Sequence, residues 1–161
     1  MKTVKKDGVT IRHPEVSELA QVRALAEDIM GQVYHHLLDG TSLVAPTLEP
    51  WLNSWIALLD DSIVGVGMTR NDLVSDLWLC PQSRGKNIGS RLLDILENEI
   101  EQRGYYQARL RVVAENNAAR GFYQTRGWRE TDGFTHEQLG ITMLNLVKAL
   151  HPSDDNAHPA T

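Results

Sequence analysis

Leu77-Trp78-Leu79-Cys80-Pro81-Gln82-Ser83-Arg84-Gly85-Lys86-Asn87-Ile88-Gly89-Ser90-Arg91 joins an apolar segment to a basic, glycine-bearing turn and then to a helical repeat. Behind it Ile88, Leu92, Leu96 and Ile100 recur every four residues, with Leu93 beside them. That is the spacing of one buried helix face. The stretch therefore reads as the end of a buried strand, a tight loop and the first turn of a helix. The first N–H groups of a helix have no partner within it, and its dipole favours negative charge there. Gly85 and Gly89 lack a Cβ, so a ligand can approach the backbone closely. Arg84, Lys86 and Arg91 add positive charge, and no acid falls between Leu77 and Arg91. These residues alone point to a ligand that carries phosphates.

Composition sets the surroundings of that loop. At 161 residues the natural count is one domain, long enough to build a core without staples. The 42% hydrophobic and 23% charged content is ordinary for a soluble globular chain. A net charge of −5 argues against general nucleic-acid binding, which needs a basic face. The single cysteine, Cys80, cannot form an internal disulfide, which fits a reducing, cytoplasmic compartment. The opening residues carry charge with no apolar run after them, so no signal peptide is expected. No stretch approaches the roughly 20 apolar residues of a membrane span, so no membrane partner is expected. The six histidines show no metal spacing, and no metal is expected.

Taken in order, Val9 to Arg12 reads as a first strand, and Pro14 suits the first turn of a helix. Leu19, Val22, Leu25, Ala26 and Ile29 mark one buried face, with Gly31 as the expected break. Gln32 to Asp39 reads as a second helical piece ending at Gly40, and Thr41 to Pro50 as a loop. Trp55–Leu59, Ile63–Thr69 and Leu73–Leu79 read as strands joined by turns at Asp60-Asp61-Ser62 and Asn71-Asp72, hence as antiparallel hairpins. A helix from Asn87 to about Arg103 stops at Gly104. Ala108–Val113 reads as a strand, Ala118–Arg126 as a helix, and Trp128–Thr131 and Ile141–Leu146 as closing strands. Residues 151–161 read as a disordered tail. The expected fold is α/β (α+β): a mixed, mostly antiparallel sheet of about seven strands flanked by helices. Its one parallel βαβ unit runs from Leu73–Leu79 through the long helix to Ala108–Val113.

Arg84-Gly85-Lys86-Asn87-Ile88-Gly89 resembles the Arg/Gln-x-x-Gly-x-Gly/Ala signature of the GNAT superfamily of N-acetyltransferases. Asn87 stands where that family most often has Gly. After Gly, Asn best tolerates left-handed backbone angles, so the loop shape is expected to survive. A second match follows about 27 residues after Gly89. Asn116-x-x-Ala119-x-x-Phe122-Tyr123-x-x-x-Gly127-Trp128 resembles the family's Asn-x-x-Ala-x-x-Phe-Tyr-x-x-x-Gly-Phe run. The two motifs in this order, with a helix and a strand between them, make a strong signal where the glycine loop alone is weak.

The resemblance implies a GNAT domain over residues 9–150, with two splayed strands and acetyl-coenzyme A as co-substrate. It places the pyrophosphate on Arg84, Gly85, Lys86, Asn87, Ile88, Gly89 and Ser90. It assigns backbone groups of Leu77 and Leu79 to the pantetheine arm and the acetyl carbonyl, with the Leu79 N–H as oxyanion donor. Asn116 resembles the asparagine that contacts the coenzyme arm, against the plain reading of a helix cap. Tyr123 occupies the place of a tyrosine beside the coenzyme sulfur, where a phenol can protonate the departing thiolate. Phe122 reads as core. Asp76 is the first candidate for the general base, with Glu115 and the weaker Asp72 behind it, each weighed against a solvated surface acid. Cys80 reads as a small buried residue before it reads as a reactive thiol. Trp51 either packs in the core or lines the acceptor pocket.

The expected function is transfer of the acetyl group to a primary amine of a small molecule or a peptide. A homodimer is an open alternative to a monomer. The rival reading is a non-catalytic coenzyme A-binding or partner-binding module on the same fold.

Overall fold

The computed structural model describes residues 3–6, 8–34, 36–37 and 44–151. The strands are β1 (Thr3–Lys6), β2 (Val9–Arg12), β3 (Trp55–Leu59), β4 (Ser62–Arg70), β5 (Leu73–Leu79), β6 (Gln107–Val113), β7 (Arg129–Thr135) and β8 (Thr142–Ala149). The helices are α1 (Leu19–Tyr34), α2 (Ile88–Gln102) and α3 (Asn117–Gln124). The sheet order is β1-β2-β3-β4-β5-β6-β8-β7. The expected sheet of about seven strands gains β1, which pairs antiparallel with β2 from Thr3↔Arg12 to Lys6↔Val9. Except for His151, the expected tail lies outside the described residues, as does most of the expected helical piece after Tyr34.

The described chain divides into two compact units. The first lies within Met1–Met68 and Asp76–Leu96. Here β2 pairs with β3 and β3 with β4, both antiparallel. The β3–β4 turn places Asp60 and Asp61 at φ 50° and 67°, the left-handed pair that a two-residue hairpin requires. Ile88, Leu92, Leu93 and Leu96 of α2 are fully buried, each stabilising the fold by about 1.5–3 kcal/mol. Leu92 and Leu96 seat on a stretch of β4 where Gly65 and Gly67 leave room for them. A Cβ on Gly67 would lie 2.7 Å from Leu96 Cδ1, and one on Gly65 would lie 3.0 Å from Leu79 Cδ1.

The helix α1 buries Leu19, Val22, Ala26, Ile29, Met30 and Tyr34. It does not break at Gly31. A glycine inside a helix costs roughly 1 kcal/mol, and burying Met30 and Tyr34 on either side outweighs that.

The second unit lies within Thr69–Ser75 and Glu97–Thr161. There β6 pairs with β8 over seven antiparallel positions, from Gln107↔Ala149 to Val113↔Met143, and β7 pairs with β8 across a bulge between Glu130 and Gly133. Glu97 accepts hydrogen bonds from Trp128 Nε1 at 3.0 Å and Lys148 Nζ at 2.7 Å. Gly104, at φ 92°, closes the helix as expected. The parallel pairing of the expected βαβ unit is present, with Leu73 of β5 opposite Arg109 of β6.

At that pairing the Asp72 carboxylate takes two hydrogen bonds from Arg109, at 2.8 and 2.9 Å. The guanidinium holds the Asp72 carboxyl below its ordinary range. A depressed folded-state value means the contribution is complete above the unfolded value, about 3.9, and is lost as pH falls through the folded value. Arg109 is half exposed, so Asp72→Asn is expected to lose less than about 1 kcal/mol near pH 7. The loss should shrink by about pH 3, as urea unfolding at the two pH values would measure. This pairing also removes Asp72 from the candidates for a general base.

Candidate active site

The first unit holds the strand, loop and helix tip that the opening motif describes. At the end of β5 the Cys80 N–H donates to Val64 O of β4 at 2.8 Å. The Trp78 carbonyl oxygen also faces β4, lying 3.2 Å from where a Gly65 Cβ would be. Backbone polar groups alternate along a strand, so the amides of Leu77 and Leu79 turn to the other side of β5. A short helical turn, Pro81–Ser83, follows. Gly85 then adopts φ 84° and Asn87 φ 61°. Both are left-handed, the conformation Asn was expected to allow in place of Gly. Arg91 N–H donates to Asn87 O at 3.1 Å and closes the first turn of α2.

Arg84, Gly85, Lys86 and Asn87 are exposed, whereas Ile88 and Gly89 are buried and Ser90 is half-buried. A Cβ on Gly85 would meet nothing within 4 Å, so its positive φ rather than crowding requires glycine there. The first turn of α2 carries no acid. The loop thus offers a bare backbone edge, helix-tip N–H groups and cationic side chains, which is what a pyrophosphate requires.

Asp76 lies on β5 in the same unit. It is buried, at 8% exposure, and accepts a hydrogen bond from Trp78 Nε1 at 3.0 Å. The expectation of a solvated surface acid therefore fails for Asp76. Trp78 is half-buried, and its ring meets that of Tyr34 edge-on at 6.4 Å. Burial pushes the Cys80 thiol up, and the charge of Asp28 on α1 pushes it the same way. Cys80 is therefore a thiol rather than a thiolate, in keeping with its plain packing role.

The second unit holds the other motif. Asn116 caps α3, its Oδ1 accepting from the Ala119 N–H at 3.1 Å. Gly127, at φ 88°, ends the helix, and the Trp128 N–H donates back to Tyr123 O at 3.1 Å. The Tyr123 ring packs edge-on against Phe122 and Trp128, with centroids 5.2 and 6.0 Å away. Phe122 is not core. None of the residues of α3 is buried, and Phe122 is covered by the Arg126 guanidinium, 3.9 Å above its ring. Glu115 is exposed. Of the candidate site residues, the structure groups Asp76, Leu77, Leu79 and the loop Arg84–Ser90 in one unit, and Asn116 and Tyr123 in the other.

Sequence reasoning missed Trp78 and Tyr34 as companions of Asp76. The i, i+2 spacing of Asp76 and Trp78 on a strand, which puts both on one face, was the available signal for the first. Among the described residues no group of three or more His, Cys, Asp or Glu side chains could hold a metal ion. No helix among them is long and apolar enough to cross a membrane.

Comparison with known proteins adds to this geometry. Residues 41–150 match the acetyltransferase (GNAT) domain family. The uncharacterized N-acetyltransferase YhfO of Bacillus subtilis is 33% identical over 76 residues, or 47% of this chain and 51% of that protein. The chain therefore matches about half the length of that curated relative. A GCN5-related N-acetyltransferase from Rhodopseudomonas palustris superposes with a TM-score of 0.68 at 20% identity, over 93% of this chain and 99% of that one. The PaiA N-acetyltransferase of Thermoplasma acidophilum, solved in complex with coenzyme A, gives a TM-score of 0.63 at 19% identity, over 88% and 98%. These two likenesses establish the shared fold. With the family match spanning most of its length, and with both motifs in place, the chain belongs to the GNAT acetyltransferase family.

Proposed function

We propose that this protein transfers the acetyl group of acetyl-coenzyme A directly to a primary amine, in one acetyltransferase domain over residues 9–150. The observation that carries the reading is the left-handed backbone at Gly85 and Asn87, which delivers a basic loop into the first turn of α2. Arg84, Gly85, Lys86, Asn87, Ile88, Gly89 and Ser90 receive the pyrophosphate through backbone N–H groups and charge. The outward-turned amides of Leu77 and Leu79 receive the pantetheine arm and the thioester carbonyl. The amide side chain of Asn116 adds a contact to the arm.

In the reaction, the Asp76 carboxylate takes a proton from the acceptor ammonium. The freed lone pair attacks the carbonyl carbon, and the Leu79 N–H stabilises the oxyanion, a kind of term worth about 2.7–4 kcal/mol per donor. As the C–N bond forms and the C–S bond breaks, its electron pair goes to sulfur, and the Tyr123 phenol protonates it. Nitrogen loses two protons in all. One is replaced on sulfur by way of Tyr123, and the other reaches solvent by way of Asp76. Holding both substrates together supplies much of the rate.

The test is thiol release from acetyl-coenzyme A with a panel of amines: a polyamine, an aralkylamine, an aminoglycoside and a peptide with a free N-terminus. Mass spectrometry then identifies the acetylated product. Coenzyme binding without turnover on any of them would overturn the enzyme reading in favour of a binding module.

The loop has its own test. Asn87→Val forces a β-branched residue into the left-handed region, at a cost of about 1–2 kcal/mol. Coenzyme A affinity, measured by calorimetry, is expected to fall roughly 5- to 30-fold. Asn87→Gly should keep it.

A further inference from the structure

We infer that Trp78 is a positioning residue for the proton acceptor Asp76, an inference that rests on the role given to Asp76 above. A carboxylate on a β-strand rotates about two side-chain bonds, and its oxygens are equivalent until something distinguishes them. Here the Trp78 indole N–H donates to Asp76 Oδ1 at 3.0 Å. Both side chains project from one face of β5, two residues apart. A bond from a neutral donor to an ionised acceptor in a buried place is directional and resists water. It fixes the carboxylate plane and engages one lone pair of Oδ1.

The indole is itself held in place. The Tyr34 ring stands at 82° to it with centroids 6.4 Å apart, and Tyr34 is buried as the last residue of α1. The order of support therefore runs from α1 through Tyr34 and Trp78 to Asp76. Trp78 is assigned no contact with the amine or the thioester; its one contact with the chemistry is the bond to Asp76 Oδ1. Its contribution passes through the carboxylate.

Two measurements test this. In a nitrogen–proton correlation spectrum the four tryptophans give four indole N–H signals, and Trp78→Phe identifies one by removing it. Asp76→Asn is expected to move that signal and leave the other three in place. An unmoved signal overturns the inference. The second measurement uses the panel amine that turns over fastest. Trp78→Phe keeps a ring but loses the donor, and is expected to lower kcat about tenfold with little change in KM for acetyl-coenzyme A.

The same change made in an Asp76→Asn background should lower kcat no further, since the group it positions is gone. Equal losses in both backgrounds would make Trp78 a packing residue and overturn the inference while leaving Asp76 as the base. Full turnover by Asp76→Asn alone would overturn the base and the inference together.

Discussion

A Tyr123→Phe protein is expected to bind coenzyme A as the parent does and to acetylate its best amine about 10²-fold more slowly. The substitution removes one oxygen from a ring that packs edge-on against Phe122 and Trp128, at 5.2 and 6.0 Å. Both ring contacts survive in phenylalanine, so the helix and its cap should be undisturbed. What is lost is a proton donor. General acid catalysis contributes typically 10²–10⁴-fold, and the lower end applies here. The leaving group is a thiol with an ordinary pKa of about 8.5, which departs tolerably well without help. The loss should fall on kcat with little change in KM for acetyl-coenzyme A, since an interaction made only as the sulfur departs does not strengthen ground-state binding. Steady-state kinetics with calorimetric coenzyme titration separates the two parameters. Undiminished turnover would remove Tyr123 from the chemistry and leave it a packing residue of α3.

What could be read from sequence follows the range of the forces involved. The face of α2 was legible because five apolar residues at helical spacing admit one burial pattern, and all five are fully buried. The Asn87 conformation was legible because a tight loop with one substituted glycine leaves few choices for the backbone. Strand β1 was not legible. Thr3–Lys6 has no alternation and owes its extended form to pairing with β2.

Phe122 shows the complementary gap. Periodicity tells which residues share a helix face, but not what covers that face, and over the Phe122 ring lies the charged Arg126 guanidinium. The burial of Asp76 is illegible for a related reason. An acid in a strand is usually solvated, and only the fold reveals that this one is closed in with an indole donor beside it. The loop and strand end of the candidate site were thus written locally, while the surroundings of its ionisable group were set by α1 and β5 meeting in space.

The tryptophans separate these two kinds of residue, and the largest stability effect is expected at one of them. Trp51 and Trp78 look alike in sequence, each followed by a leucine. Trp51 is fully buried, which supports the core reading over a place in the acceptor pocket. It sits in the short helical turn Glu49–Asn53, and its carbonyl oxygen accepts from both the N–H and the hydroxyl of Ser54, at 3.1 and 2.6 Å. That turn leads directly into β3 and is fixed by the ring beneath it. Trp51→Ala should therefore cost about 3–5 kcal/mol, the range for emptying a large aromatic site in a core. For a chain of this size that lowers the melting temperature by about 6–20 °C. Trp78→Ala removes a half-buried ring and should lower it by visibly less, while reducing turnover more. Urea unfolding and thiol release on the same two variants give the comparison. If Trp51→Ala unfolded at the parental midpoint but changed which amines are acetylated, the ring would be serving the acceptor rather than the fold. The opposite ordering, stability lost at 51 and rate lost at 78, is what a sealed core residue and a carboxylate-positioning residue require.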